Sequence, residues 1–350
     1  MGIKQLLKLN QSSVLGLDIG SSAVKVVQLL KNNDRYSVTG AAILDIPDDS
    51  DSSEQKEINT EKTIRQCIQT AGTQSQQVVC GVCGPEVAVR YFNFPMLPKE
   101  EVPGAVTLEA SQVCPFSADD SAVDYQLFAD DEDNICGFLV AATNKLIRSK
   151  SKLAKNASLK NVLMDVDGLA LLNCYSEFET PQPGRATAIL NVGNSYTNLA
   201  IMNDSRTPFI RDIAYAANDI ITRIAEENNI AYEDIGKMLC TDDLNKSELD
   251  HAMENSFAQA CQKLIVDVAE TLRYYSTQEK SAVVEKVLVC GGFALVKGFV
   301  ELLDSQLSPN VILWNPFENI QCQANSSCRD IIKERGPALA VAAGLAMRSI

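Results

Sequence analysis

Val14-Leu15-Gly16-Leu17-Asp18-Ile19-Gly20-Ser21-Ser22-Ala23-Val24-Lys25-Val26-Val27 sets an Asp-x-Gly turn between two apolar runs of strand type. The same layout returns in Ala188-Ile189-Leu190-Asn191-Val192-Gly193-Asn194-Ser195-Tyr196-Thr197-Asn198-Leu199-Ala200-Ile201. In register, Asp18 falls on Asn191, Gly20 on Gly193 and Ser22 on Ser195. A Gly-containing turn between strands exposes backbone N–H groups in a concavity that suits phosphate oxygens. One such turn is an ordinary reverse turn. Two of them, facing each other across a cleft, would hold one nucleotide's phosphates from both sides.

Outward from the first turn, residues 14–46 read as three strands, with a turn at Lys31-Asn32-Asn33-Asp34. The acidic, Ser-rich stretch Asp48 to Glu54 reads as a solvated loop before a helix over Glu61 to Ala71 and a buried strand over Gln77 to Cys83. Residues 86–158 differ: they are Pro-punctuated, mixed in sign, and hold short strands around a helix that Pro103 would start. They are expected to form a subdomain inserted into a first half made of residues 1–85 and 159–180. Asn161 to Val166 resumes a buried strand, and a helix opens at Asp167. After the linker Pro181-Gln182-Pro183-Gly184, residues 185–350 are expected to form the second half. It repeats the three-strand opening over Arg185 to Ile213 and continues into a helical region over 218–280. Strand Val284 to Cys290, a helix near Val296 and an Ala-rich helix over Pro337 to Arg348 close the chain.

Composition narrows the function. A chain of 350 residues with 46% hydrophobic content can fill two cores around a cleft. Its net charge of −14 disfavours nucleic acid and anionic lipid, since both call for clustered Lys and Arg. No run approaches the roughly 18 apolar residues of a spanning helix. Met1 to Leu9 lacks the long apolar stretch of a signal peptide. The 11 cysteines lie mostly among apolar neighbours, as small hydrophobes do in a reducing cytosol. Cys80-Gly81-Val82-Cys83 has no second pair to complete a zinc site, and a strand sends the two thiols to opposite faces. The single histidine, His251, sits in a polar stretch and reads as a surface residue.

Within the first turn, Asp18 is a candidate for holding Mg²⁺ through water, because that ion keeps most of its hydration. Ser21, Ser22 and neighbouring N–H groups would meet phosphate, and Lys25 would have to point into the cleft. Gly291-Gly292 ends a predicted strand, where two glycines allow backbone to approach a ribose and a flat base. The helices opening at Asp167 and Pro337 are rich in Ala, Gly and Leu and would pack closely where the halves meet.

This ordered set resembles the actin-like ATPase superfamily: phosphate loop, connecting helix, phosphate loop, adenosine Gly-Gly, connecting helix. The resemblance covers residues 14 to 348. It implies an α/β fold of two duplicated, ribonuclease H-like βββαβα halves around a nucleotide cleft, with an inserted α+β subdomain in the first half. Glu109-Ala110, Pro115-Phe116, Asp124-Tyr125-Gln126 and Ala141-Ala142-Thr143-Asn144-Lys145 are similar to the PilM family of type IV pilus assembly proteins. So are Asp165-Val166-Asp167, Leu169-Ala170-Leu171 and the ending Ala338 to Ala346.

That resemblance implies ATP or ADP with Mg²⁺, and phosphate contacts from Asp18, Gly20, Ser21, Ser22 and Lys25 facing Gly193, Asn194, Ser195 and Thr197. It places Gly291, Gly292 and Gly298 at the adenosine, Lys237 near the base, and Asp167 where relatives carry the Glu or Gln that orients water. The metal would be organised by Asp18 and, through water, by Asn191. The chain departs from the pattern at Asn191, where a carboxylate is usual, and at Ala216-Ala217, where Gly-Gly is frequent. Nucleotide binding is therefore expected to outlast efficient hydrolysis. The resemblance further implies a cytoplasmic scaffold recruited to the inner membrane face by other pilus assembly proteins, with self-association left open. Its expected partner is the N-terminal cytoplasmic tail of PilN, held in a groove beside the inserted subdomain. Two rival readings share the fold: an FtsA-like division filament protein, and a small-molecule kinase needing a second-substrate carboxylate.

Overall fold

Three antiparallel strands, β1 (Leu15–Ile19), β2 (Ala23–Asn32) and β3 (Arg35–Asp45), open the chain, and helix α1 (Ser53–Ala71) carries it back to β4 (Gln77–Val82), parallel to β1. The computed structural model describes residues 14–32, 35–47, 52–128, 134–179, 182–203, 207–240, 248–278 and 281–348. The N-terminal residues Met1 to Leu9, Asp48 to Asp51 of the acidic stretch and the side chain of His251 lie outside what is described. Helix α1 starts at Ser53, earlier than the sequence reading had it. Serine and glutamate suit a loop, but they also suit a helix's first turn, where Glu54 meets the positive end of the dipole.

Strands β5 (Val87–Pro95), β6 (Ser121–Leu127) and β7 (Asn134–Thr143) form a separate three-stranded sheet in the order β5-β7-β6, backed by helix α2 (Val102–Val113). Phe92, Val102, Val106, Ala110 and Leu139 are its small core. Helix α3 (Asn144–Asn156) follows β7 at once, capped by the Thr143 hydroxyl, and leads to β8 (Asn161–Val166), parallel to β4. The expected insertion ran to residue 158. In the structure α3 packs instead on α1, β4 and β8, and its Ala154 shares a core with Leu15, Leu17 and Ile64. It is the crossover helix of a β-α-β unit in the first half, so the separate sheet ends at Thr143. Helix α4 (Asp167–Phe178) then leaves the first half.

The second half repeats the plan: β9 (Arg185–Val192), β10 (Thr197–Asn203) and β11 (Phe209–Ile213), then helices α5 (Ala217–Asn228), α6 (Tyr232–Cys240) and α7 (Glu248–Ser276). Strand β12 (Val283–Cys290), helix α8 (Phe299–Gln306) and β13 (Asn310–Leu313) complete a five-stranded sheet in the order β11-β10-β9-β12-β13. The sequence reading kept the rest of the chain, to residue 350, in that half, whereas it returns to the first. Strand β14 (Gln321–Cys322) pairs with β3, giving a six-stranded first sheet in the order β14-β3-β2-β1-β4-β8. Helix α9 (Ser326–Glu334) packs on β3, and α10 (Ala340–Ala346) packs on β1, β2 and β4. Proline 337 opens a tight 3-10 turn, and the α-helix starts only at Ala340.

Helices α4 and α10 cross with almost nothing between their backbones. A Cβ on Gly344 would stand 1.8 Å from the Ala170 carbonyl oxygen, and one on Gly16 of β1 would stand 1.9 Å from that of Ala342. The small residues anticipated at this junction are therefore its geometry. Burying a large aliphatic side chain such as Leu171, fully enclosed here, contributes about 1.5–3 kcal/mol.

Candidate functional site

The two Asp-x-Gly-type turns adopt the same closure. Gly20 N–H donates to the Ala23 carbonyl at 3.0 Å, and Gly193 N–H donates to the Tyr196 carbonyl at 3.1 Å. Each glycine amide is thus used inside its own turn. The amides of Ser21, Ser22, Asn194 and Ser195 make no such bond among the described residues. The turns meet across the cleft: the Ser195 hydroxyl donates to Ser21 Oγ at 2.7 Å, and Asn194 Nδ2 to the same oxygen at 3.1 Å. Behind them the cleft encloses about 320 Å³, lined among others by Asp18, Lys25, Cys83, Lys150, Asp167 and Asn198.

Pairing across the strands fixes the charges. Asp18 on β1 lies opposite Lys25 on β2, and Lys25 Nζ donates to Asp18 Oδ2 at 2.8 Å. Burial acts to lower the Lys25 pKa, but the Asp18 charge and hydrogen bond outweigh it, and the net direction is up. In the second half the equivalent pair is neutral. Asn191 lies opposite Asn198 and donates to its Oδ1 at 2.7 Å, and Asn198 Nδ2 in turn donates to Asp212 Oδ1 at 2.8 Å. The other Asp212 oxygen accepts the Gly84 N–H from the first half. Burial raises the Asp212 pKa despite these two donors.

Asp167 is the most perturbed carboxylic acid among the described residues. It opens α4, is buried, and its Oδ1 accepts no hydrogen bond among the described residues. Burial and then the nearby Asp18 charge push its carboxyl up to about 7. A carboxyl that titrates near neutrality inside a cleft is a candidate for proton chemistry. Cys80 and Cys83 do part to opposite sides. Cys80 joins the core with Leu15 and Leu17, and Cys83 faces the cleft, with burial pushing its thiol well above the ordinary range.

A profile of the type IV pilus assembly protein PilM family matches residues 16–350. The chain belongs to that family. Among solved structures, the PilM-PilN type IV pilus biogenesis complex is similar, with a TM-score of 0.80 and 22% identity over 96% of this chain and 98% of that one. The ethanolamine utilization protein EutJ from Carboxydothermus hydrogenoformans matches with a TM-score of 0.55 and 12% identity over 96% of this chain and 89% of its own. A glycerol dehydratase reactivase matches with a TM-score of 0.55 and 10% identity over 95% and 98%. These likenesses are of fold, the duplicated α/β plan of the actin-like proteins.

Within this PilM-family chain the candidate residues divide. Asp18, Gly20, Ser21, Ser22, Lys25, Asp167, Asn191, Gly193, Asn194 and Ser195 line one cleft. Thr197 does not: it is buried, and its hydroxyl donates to the Tyr215 carbonyl at 2.9 Å. The strand's alternation turns Asn198 into the cleft in its place. Gly291 abuts the second turn. At φ 95° with Val192 backbone 2.4 Å from any added Cβ, only glycine fits there. Gly292 beside it is exposed, with nothing within 4 Å of a Cβ. Gly298 has a left-handed backbone at the start of α8 and does not line the cleft. Lys237 on α6 is 76% exposed and pairs with Asp234 at 3.7 Å, away from the cleft lining. Sequence reasoning missed Asn198 and Asp212, though polar residues inside apolar strands were a readable signal. It also missed Lys150.

Proposed function

We propose that this PilM-family chain binds ATP or ADP with Mg²⁺ in the cleft between its halves, and an extended PilN tail in a separate groove. It would act as a cytoplasmic scaffold brought to the membrane by its partners. The observation that carries the nucleotide reading is the pair of identically closed turns, bridged Ser21 to Ser195, with unused amides on both. Phosphate oxygens would replace the serine bridge and take those amides as donors. Asp18 is the one carboxylate at the strand end where hydrated Mg²⁺ is expected, and Lys25 would neutralise phosphate as the ion takes Asp18. Asn191 is held as a donor to Asn198, so it adds no charge for the metal. Slow turnover follows from that neutral pair, with Asp167 as the group placed to take a proton from water.

Gly292 gives a clean test. Its backbone is ordinary, at φ −63° and ψ −38°, and a side chain there meets only open space. Gly292→Val should fold normally yet lose about tenfold or more in ATP affinity by calorimetry, because the added methyls occupy the sugar's approach. Unchanged affinity would remove the Gly-Gly from the site.

The peptide reading rests on a groove of about 220 Å³ between the small sheet and the first half. Ala122, Phe138 and Val140 line one wall, and Ile147, Met164 and Leu169 are among the residues completing it. Strand β6 pairs only with β7 among the described residues, so its outer edge can receive an added strand. Arg348, paired with buried Asp165 at 3.1 Å, is the one lining residue from the end of the chain. Ala122 is exposed on β6, so Ala122→Trp should fill the groove without disturbing the core. Fluorescence anisotropy with a labelled PilN tail should show a loss of about tenfold or more, with ATP binding retained. Wild-type peptide affinity in that variant would move the docking surface elsewhere.

A further inference from the structure

Lys150 reaches the nucleotide cleft from α3, outside both turns. It lies on α3, half-buried, and its Nζ donates to the carbonyl of Ile19, the last residue of β1 before the first turn. An ammonium has three donors, and this bond uses one. No carboxylate of the described residues lies within ion-pair distance of it, whereas Lys25 is already held by Asp18. The Lys150 charge acts to lower the Asp167 pKa without an ion pair between them, so an anion entering the cleft would find its two remaining donors open. The groups gathered around it are the two turns with their unused amides.

We infer that Lys150 is a second phosphate-binding lysine, whose ammonium exchanges the Ile19 carbonyl for a phosphate oxygen of the bound nucleotide. The inference rests on the reading of the cleft as a nucleotide site. It also gives that site a connection. Leu146 and Lys150 line the cleft, one turn apart on α3, while Ile147 of the same turn lines the peptide groove. Helix α3 thus contributes to a wall of both sites.

Calorimetry on the full chain with Mg²⁺ and ATP, ADP or adenosine tests it, using Lys150→Met and Lys150→Gln. Glutamine keeps a donor for the Ile19 carbonyl but lacks the charge. Both variants should lose about tenfold or more in ATP and ADP affinity, with adenosine affinity unchanged. If Lys150→Gln binds ATP like the unmodified chain, the charge does no work on phosphate and the inference fails. Equal losses for adenosine and ATP would make Lys150 a packing residue and overturn it as well. An unmodified chain that binds none of the three would instead bring down the cleft reading itself.

Discussion

Replacing Asp167 by asparagine is expected to stabilise the nucleotide-free protein, by an amount that grows with pH. The carboxyl is raised from 3.8 to about 7 by burial and by Asp18. Between those values the folded chain holds a proton that the unfolded chain has released. A raised acid thus favours the folded state at low pH and loses that advantage as pH climbs to about 7. That change corresponds to roughly 4 kcal/mol, spread at about 1.4 kcal/mol per pH unit. Asparagine resembles the protonated acid and does not titrate. Urea denaturation of both proteins should give matching stabilities near pH 4 and a gap of about 3–4 kcal/mol above pH 7. A gap that stays constant from pH 4 to pH 8 would mean the folded carboxyl titrates as an ordinary one.

The crossing of α4 and α10 should be nearly intolerant of a single methyl group. Alanine favours a helix over glycine by about 1 kcal/mol, so Gly344→Ala would stabilise an isolated α10. In the folded chain the new Cβ meets the Ala170 carbonyl at 1.8 Å, and backbone cannot turn aside as a side chain can. Overpacking of that kind costs about 3 kcal/mol, which outweighs the helix gain. Gly344→Ala should thus lower stability by about 2 kcal/mol, and Gly344→Val by more. An alanine variant as stable as the parent would show that the helices separate at no cost.

The duplicated turns were legible because their spacing recurs on two strand patterns, and the family's order of motifs set them in one fold. What the sequence hid was where side chains and later segments go. Thr197 looked like a phosphate hydroxyl, but strand alternation buries it and presents Asn198. Lys150 is one of several basic residues on α3, with Lys145, Arg148, Lys152 and Lys155, and nothing in that run marks which one reaches the end of β1. Helix α3 itself read as part of the insertion, because its crossover role depends on β4 and β8 being neighbours, a tertiary fact. Lys237 is placed by the helical region's packing, which leaves it in solvent.

The return of β14, α9 and α10 to the first sheet also orders events in time. The face of β1 that carries Gly16 is closed by α10, whose residues are made only after the whole second-half sheet. At about 5–20 residues per second, the ribosome needs roughly 10–30 s to travel from the end of α4 to α10. Throughout that interval the nascent first half holds its sheet with one apolar side uncovered. The first half cannot finish on its own while the second emerges, and the cleft between them closes only when α10 has left the exit tunnel.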